Sequence, residues 1–104
     1  MKIKNKLKIG GIDLSVRKFK KLITTDDEEA LGHSHEATAQ IKLATHFEDM
    51  PVPECVMTAT YFHEILHHSC WVAGVVLDEE EVTALGHVLF QVLRDNELDF
   101  SDKT

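Results

Sequence analysis

The sequence predicts a single α+β domain, with a small N-terminal antiparallel or mixed sheet of about three strands followed by two helices. Three observations predict it. The chain has 104 residues, 43% hydrophobic and 28% charged, enough for one modest core and too few for two. Apolar residues recur with a period of two in residues 1–45, then with spacings of three and four in residues 53–96. Glycine, proline and helix-capping signals fall between these stretches.

The opening segment alternates lysines with Ile3, Leu7 and Ile9, and after Gly10-Gly11 the alternation resumes through Ile12, Leu14 and Val16, as in a β-hairpin. Residues 25–29, Thr-Asp-Asp-Glu-Glu, read as an acidic loop. Residues 31–36, Leu-Gly-His-Ser-His-Glu, read as a polar turn. A third strand is expected over residues 38–44, and a connector over residues 45–53 ends at Pro51 and Pro53.

A first helix is expected from about Pro53 to Val72, with Val56, Ala59, Phe62, Leu66 and Cys70 inward and Gly74 as its stop. Asp78 suits the N-cap of a second helix, with Glu81 as its capping-box partner. That helix runs to about Asn96 and is expected to bury Val82, Leu85, Leu89, Val92 and Leu93. Residues 53–96 thus form a helical hairpin, and residues 97–104 a loose acidic tail.

The net charge of −7 is distributed unevenly. Residues 1–22 carry +7 and residues 23–104 carry −14. A basic arm on an acidic body invites a nucleic-acid reading. The plainer reading is a strand edge kept soluble by lysines, because the arm has no aromatic interleaving beyond Phe19 and the acidic body opposes non-specific binding. No apolar run approaches a membrane span and no secretory signal opens the chain, so a cytoplasmic protein without a membrane partner is expected. Cys55 and Cys70 lie fifteen residues apart on the first predicted helix. Their separation of about 22 Å exceeds the roughly 7 Å that a disulfide spans.

The first helix contains His63-Glu64-Ile65-Leu66-His67, an H-E-x-x-H. Histidines at i and i+4 share one helical face, so both rings can reach a single zinc ion. Glu64, next to the first ligand, is placed to take a proton from a water at the metal's open position. With seven His and ten Glu, such a pattern is expected by chance in about 4% of chains of this composition. The histidines lie in line with Ala59 and Cys70, so both rings are expected to face the core side.

A catalytic zinc needs a third protein ligand. The start of the second helix supplies Glu79, the leading candidate, then Glu80, with Glu81 expected to be occupied by capping and His87 a rival twenty residues beyond His67. His68, on the stripe of Glu64, is expected to line a cleft. His33 and His35 read as a solvated loop pair, and Tyr61 and His46 are open choices for polarising a carbonyl.

Around Thr60-Tyr-Phe-His-Glu-Ile-Leu-His-His68 the chain resembles the small zincin-like metallopeptidases encoded by phages and prophages, distant relatives of the ImmA/IrrE-type peptidases. The likeness extends to residues 7–12, 40–43, 77–82 and 89–96, the last ending Val-Leu-Arg-Asp-Asn. It implies a minimal zincin: a twisted sheet, an active-site helix and a second helix. His63 and His67 then match the metal ligands, Glu64 the general base, and an acid near Glu79 the third ligand, in a bacterial host's cytoplasm. The larger relatives carry Glu-x-x-Ala-Asn in the following helix. Here Glu81-Val-Thr-Ala84 is followed by Leu85, which leaves the third ligand open among Glu79, Glu80, Glu81 and His87.

The function expected is a zinc-dependent peptidase acting on a cytoplasmic protein or peptide, such as a host or phage regulator, with Ile41–Ala44 as an edge along which an extended substrate pairs. The alternative is a zinc-bearing protein that no longer cleaves and acts by binding a host factor.

Overall fold

The computed structural model describes residues 2–98. The expected acidic tail lies largely outside the described residues.

The hairpin forms where the alternation places it. Strand β1 (Lys6–Ile9) pairs antiparallel with β2 (Ile12–Phe19). Gly10 and Gly11 both have positive φ, +57° and +83°, the backbone that a two-residue turn matched to strand twist requires. Two further strands follow, β3 (Gly32–His35) and β4 (Gln40–Ala44), joined through a single 3-10 turn.

The sheet has four strands in the order β1-β2-β4-β3, with β2 and β4 parallel and the other pairs antiparallel. This corrects two expectations. The segment expected as a polar turn is strand β3, and β4 is interior, not an edge. The connector also contains a two-stranded ribbon, β5 (His46–Phe47) and β6 (Met50–Pro51).

Helix α1 (Glu54–Ala73) lies across the inner face of the sheet and ends at Gly74. Helix α2 (Glu79–Asp95) packs on α1. Leu14, Val16, Ile41 and Leu43 form the core with Tyr61 of α1.

The buried stripe of α1 differs from the expected one. It consists of Thr58, Tyr61, Glu64 and His68, which face the sheet. Phe62 and Leu66 instead meet α2, with the Phe62 and Phe90 rings 6.3 Å apart and Leu66 against Gly86. A helix held between two partners buries two faces, so its apolar spacing alone does not identify the deeper one.

Helix α2 is also corrected. Val82 is buried, but Leu85, Leu89 and Val92 are exposed and Leu93 is half-buried, because α2 meets α1 along a stripe that includes Glu79, Val82, Gly86 and Phe90. Cys55 and Cys70 are both free thiols. No described helix is long and apolar enough to cross a membrane.

Candidate metal centre

The site lies where α1, the start of α2 and the edge strand β3 meet. Residues four apart on α1 bring the His63 and His67 rings one above the other, their centroids 4.8 Å apart. The rings sit at the seam with α2, about a fifth exposed, and not in the core as their alignment with Ala59 and Cys70 suggests.

The first turn of α2 is fixed by a complete capping box. Asp78 Oδ1 accepts from the Glu81 backbone N–H at 2.7 Å, and the Asp78 N–H donates to Glu81 Oε1 at 2.9 Å. Glu81 is thereby occupied, and Glu79 is aimed at the histidines. His63 Nε2 lies 2.9 Å from Glu79 Oε1, His67 Nε2 lies 2.8 Å from Glu79 Oε2, and the two Nε2 atoms are 3.1 Å apart.

Two imidazole nitrogens and a carboxylate form a donor set suited to a transition metal. Taking one ligand atom from each residue, the three lie within 4.8 Å of one another, close enough for a single ion to reach all of them. His63, His67 and Glu79 can hold a metal ion, and they are the group of three His, Cys, Asp or Glu side chains with this convergence among the described residues. Glu80 is exposed outside it. His87 lies two turns farther along α2, in the groove between the helices but outside the ligand group.

Glu64 is only 6% exposed and lines the hollow of about 250 Å³ that opens between His67, Glu79 and strand β3. Burial raises its pKa to about 8, and the neighbouring carboxylates of Glu79 and then Glu36 add to the rise. Strand β3 approaches Glu64 so closely that only glycine fits at position 32. A Cβ there would stand 2.5 Å from Thr60 Cγ2 and 3.1 Å from Glu64 Oε2. Gly32→Ala therefore overpacks this contact and should lower stability by about 1–3 kcal/mol, measurable as a shift in the urea midpoint. An unchanged midpoint would show that Thr60 and Glu64 yield freely.

The free side of β3 is ready for pairing. Leu31 accepts from the Ala44 N–H at 2.8 Å, so in the antiparallel ladder residues 31, 33 and 35 bond toward β4. Gly32 and Ser34 consequently turn their N–H and C=O groups outward, beside Glu64 and Glu79.

Three other residues singled out in the sequence, His68 against expectation and Tyr61 and His46 left open there, are not among those that line the cleft. His68 does not line the cleft. It is 2% exposed and its Nε2 donates to the Gln40 carbonyl at 3.0 Å, tying α1 to β4. Tyr61 is buried, its hydroxyl accepting from the Lys4 N–H at 3.4 Å, and burial raises its pKa. His46 bonds Thr45 Oγ1 at 2.8 Å in the small ribbon, outside the residues that line the cleft. Sequence reasoning missed Gly32 and Glu36, neither of which carries a spacing that links it to the motif. Compared with known protein families, with curated proteins and with solved structures, the chain matches none.

Proposed function

We propose that this chain is a zinc-dependent metallopeptidase of the zincin type, acting on a peptide bond of a protein substrate. The observation that carries the reading is the meeting of His63, His67 and Glu79 beside a buried Glu64. The H-E-x-x-H and the likeness of residues 60–68 to phage- and prophage-encoded zincin-like peptidases support it, and with them a cytoplasmic site of action.

In this reading His63 and His67 offer Nε2 to the ion and Glu79 completes the protein ligands. Zinc, when bound, supplies Lewis-acid activation of a water molecule and of the scissile carbonyl. Glu64 takes the proton released from that water and later passes it to the departing amine. Its environment suits both halves. Burial keeps the carboxyl able to carry a proton near neutral pH, and a dication held by the neighbouring ligands would favour the carboxylate form that accepts one. Gly32 and Ser34 present the edge along which an extended substrate adds as a further strand.

The test combines elemental analysis with proteolysis. About one zinc per chain is expected in the wild type and none in His63→Ala. The zinc-loaded protein should cleave denatured casein, lose that activity to 1,10-phenanthroline and regain it with added zinc. No metal uptake would overturn the site. Full zinc occupancy without cleavage of denatured proteins would overturn the peptidase and leave a zinc-bearing binding protein.

A further inference from the structure

The outer face of the sheet, opposite the core and the metal centre, carries an arrangement that proteolysis does not use. Register partners on neighbouring strands project to the same side. The pairings Lys6–Ser15–Gln40–His35 and Arg17–Lys42–His33 therefore form two polar rows on one face, the first crossing all four strands and the second three of them. Leu14, Val16, Ile41 and Leu43 alternate to the opposite, buried face. With Lys8, the strand residues of the outer face hold four cations against the single Asp13, and the acidic loop of residues 26–29 borders the face at its β3 end.

Rings accompany the charges. The Arg17 guanidinium and the Lys42 ammonium lie 5.5 Å and 5.7 Å from the centre of the Phe19 ring. His33 and His35 are exposed and stacked, with centroids 6.1 Å apart. A hollow of about 240 Å³ lies beside them, walled by Thr24 and Thr25 and floored in part by Lys42. A larger one, about 840 Å³, opens beside Lys4, Lys6 and Lys8.

We propose that this outer sheet face binds a short stretch of single-stranded nucleic acid. Lysines and Arg17 are spaced to meet successive phosphates across a face about 14 Å wide, while the imidazole rings and Phe19 offer π surfaces to unstacked bases. An acidic polypeptide would use the cations but not the rings. A duplex finds no helix or ribbon projecting from this face to enter its groove. The sequence argues against nucleic acid because aromatic interleaving in the basic arm stops at Phe19. The fold removes that objection by bringing His33 and His35 from β3 into the same rows. The acidic helical layer on the other side leaves this face as the one that a polyanion approaches.

The probe is a short fluorescein-labelled oligothymidylate, followed by anisotropy with the full-length protein at about 50 mM salt. Saturable binding is expected, with log K falling against log salt at a slope of about −2 to −3 for three or four phosphate contacts. Unlabelled duplex of equal length and polyglutamate should compete about tenfold less well than unlabelled oligothymidylate. Arg17→Gln/Lys42→Gln should weaken binding about tenfold and reduce the slope. His33→Ala/His35→Ala should weaken it about fivefold with the slope unchanged. All four side chains lie on the outer face, and an unaltered circular dichroism spectrum checks that the variants fold. The proposal is overturned by the absence of binding, by equal competition from duplex or polyglutamate, or by wild-type affinity in the Arg17/Lys42 variant.

Discussion

Glu64→Gln should lower zinc-dependent peptide hydrolysis by about 10²–10⁴-fold while retaining the wild-type zinc content. Glutamine preserves the volume that packs beneath Gly32 and alongside Thr60, so the close approach of β3 to α1 survives. The group that can hold a metal ion consists of His63, His67 and Glu79 and takes no atom from position 64. What is lost is a group that can accept a proton and release it again. The loss should fall on kcat more than on KM, because the proposed substrate pairing along Gly32 and Ser34 uses backbone groups and not the Glu64 carboxylate. Cleavage at the wild-type rate by a fully zinc-loaded Glu64→Gln would remove the proposed mechanism.

The metal-free protein should lose stability as pH rises from about 4.5 to about 8, and Glu64→Gln should abolish that dependence. The folded-state pKa of Glu64 is about 8 against an ordinary value of 4.5, raised first by burial and then by Glu79 and Glu36. Between these values the folded chain binds more protons than the unfolded chain, so raising the pH favours unfolding. The stabilisation is complete below the unfolded pKa and gone above the folded one. Its size is roughly 3–5 kcal/mol, a large share of what a domain of this length ordinarily possesses. Urea unfolding of wild type and Glu64→Gln at pH 5, pH 6.5 and pH 8, both stripped of metal, measures it. The two proteins should diverge steadily, with the variant the more stable at pH 8. Parallel pH profiles would show that the buried carboxyl does not carry the dependence. Added zinc should stabilise the wild type, because it binds the folded chain, where its ligands meet.

Much of the metal centre is legible in the chain because its parts are local. The i, i+4 spacing of His63 and His67 follows from helical geometry, and the Asp78–Glu81 capping box from the chemistry of a helix start. Together they leave Glu79 and Glu80 as the acids free to turn toward α1, and only the packing of α2 on α1 singles out Glu79. Strand β3 is illegible for a physical reason. Its inward positions are Gly32, where the nearness of Thr60 and Glu64 leaves no room for a side chain, and the polar Ser34. The alternation that betrays other strands is therefore missing from it.

The buried faces of the helices are hidden for a different reason. Periodicity marks which residues share a line along a helix and is silent on which neighbour that line meets. Thr58, Tyr61, Glu64 and His68 form the deepest stripe of α1 because the sheet lies there, and polar members of the stripe find partners such as the Gln40 carbonyl. Leu85, Leu89 and Val92 stay exposed because α1 is the main partner of α2 and their line along α2 does not face it.

The α+β class, the Gly10-Gly11 turn, both helices, the paired histidines and the Asp78–Glu81 cap arise from interactions within a few residues, so the sequence alone determines them. The parallel pairing of β2 with β4, the edge position of β3, the burial that raises the Glu64 pKa and the gathering of His33, His35, Arg17 and Lys42 on one face depend on residues distant in the chain. Only tertiary structure decides these, because each depends on which segments end up in contact and on how much water that contact excludes.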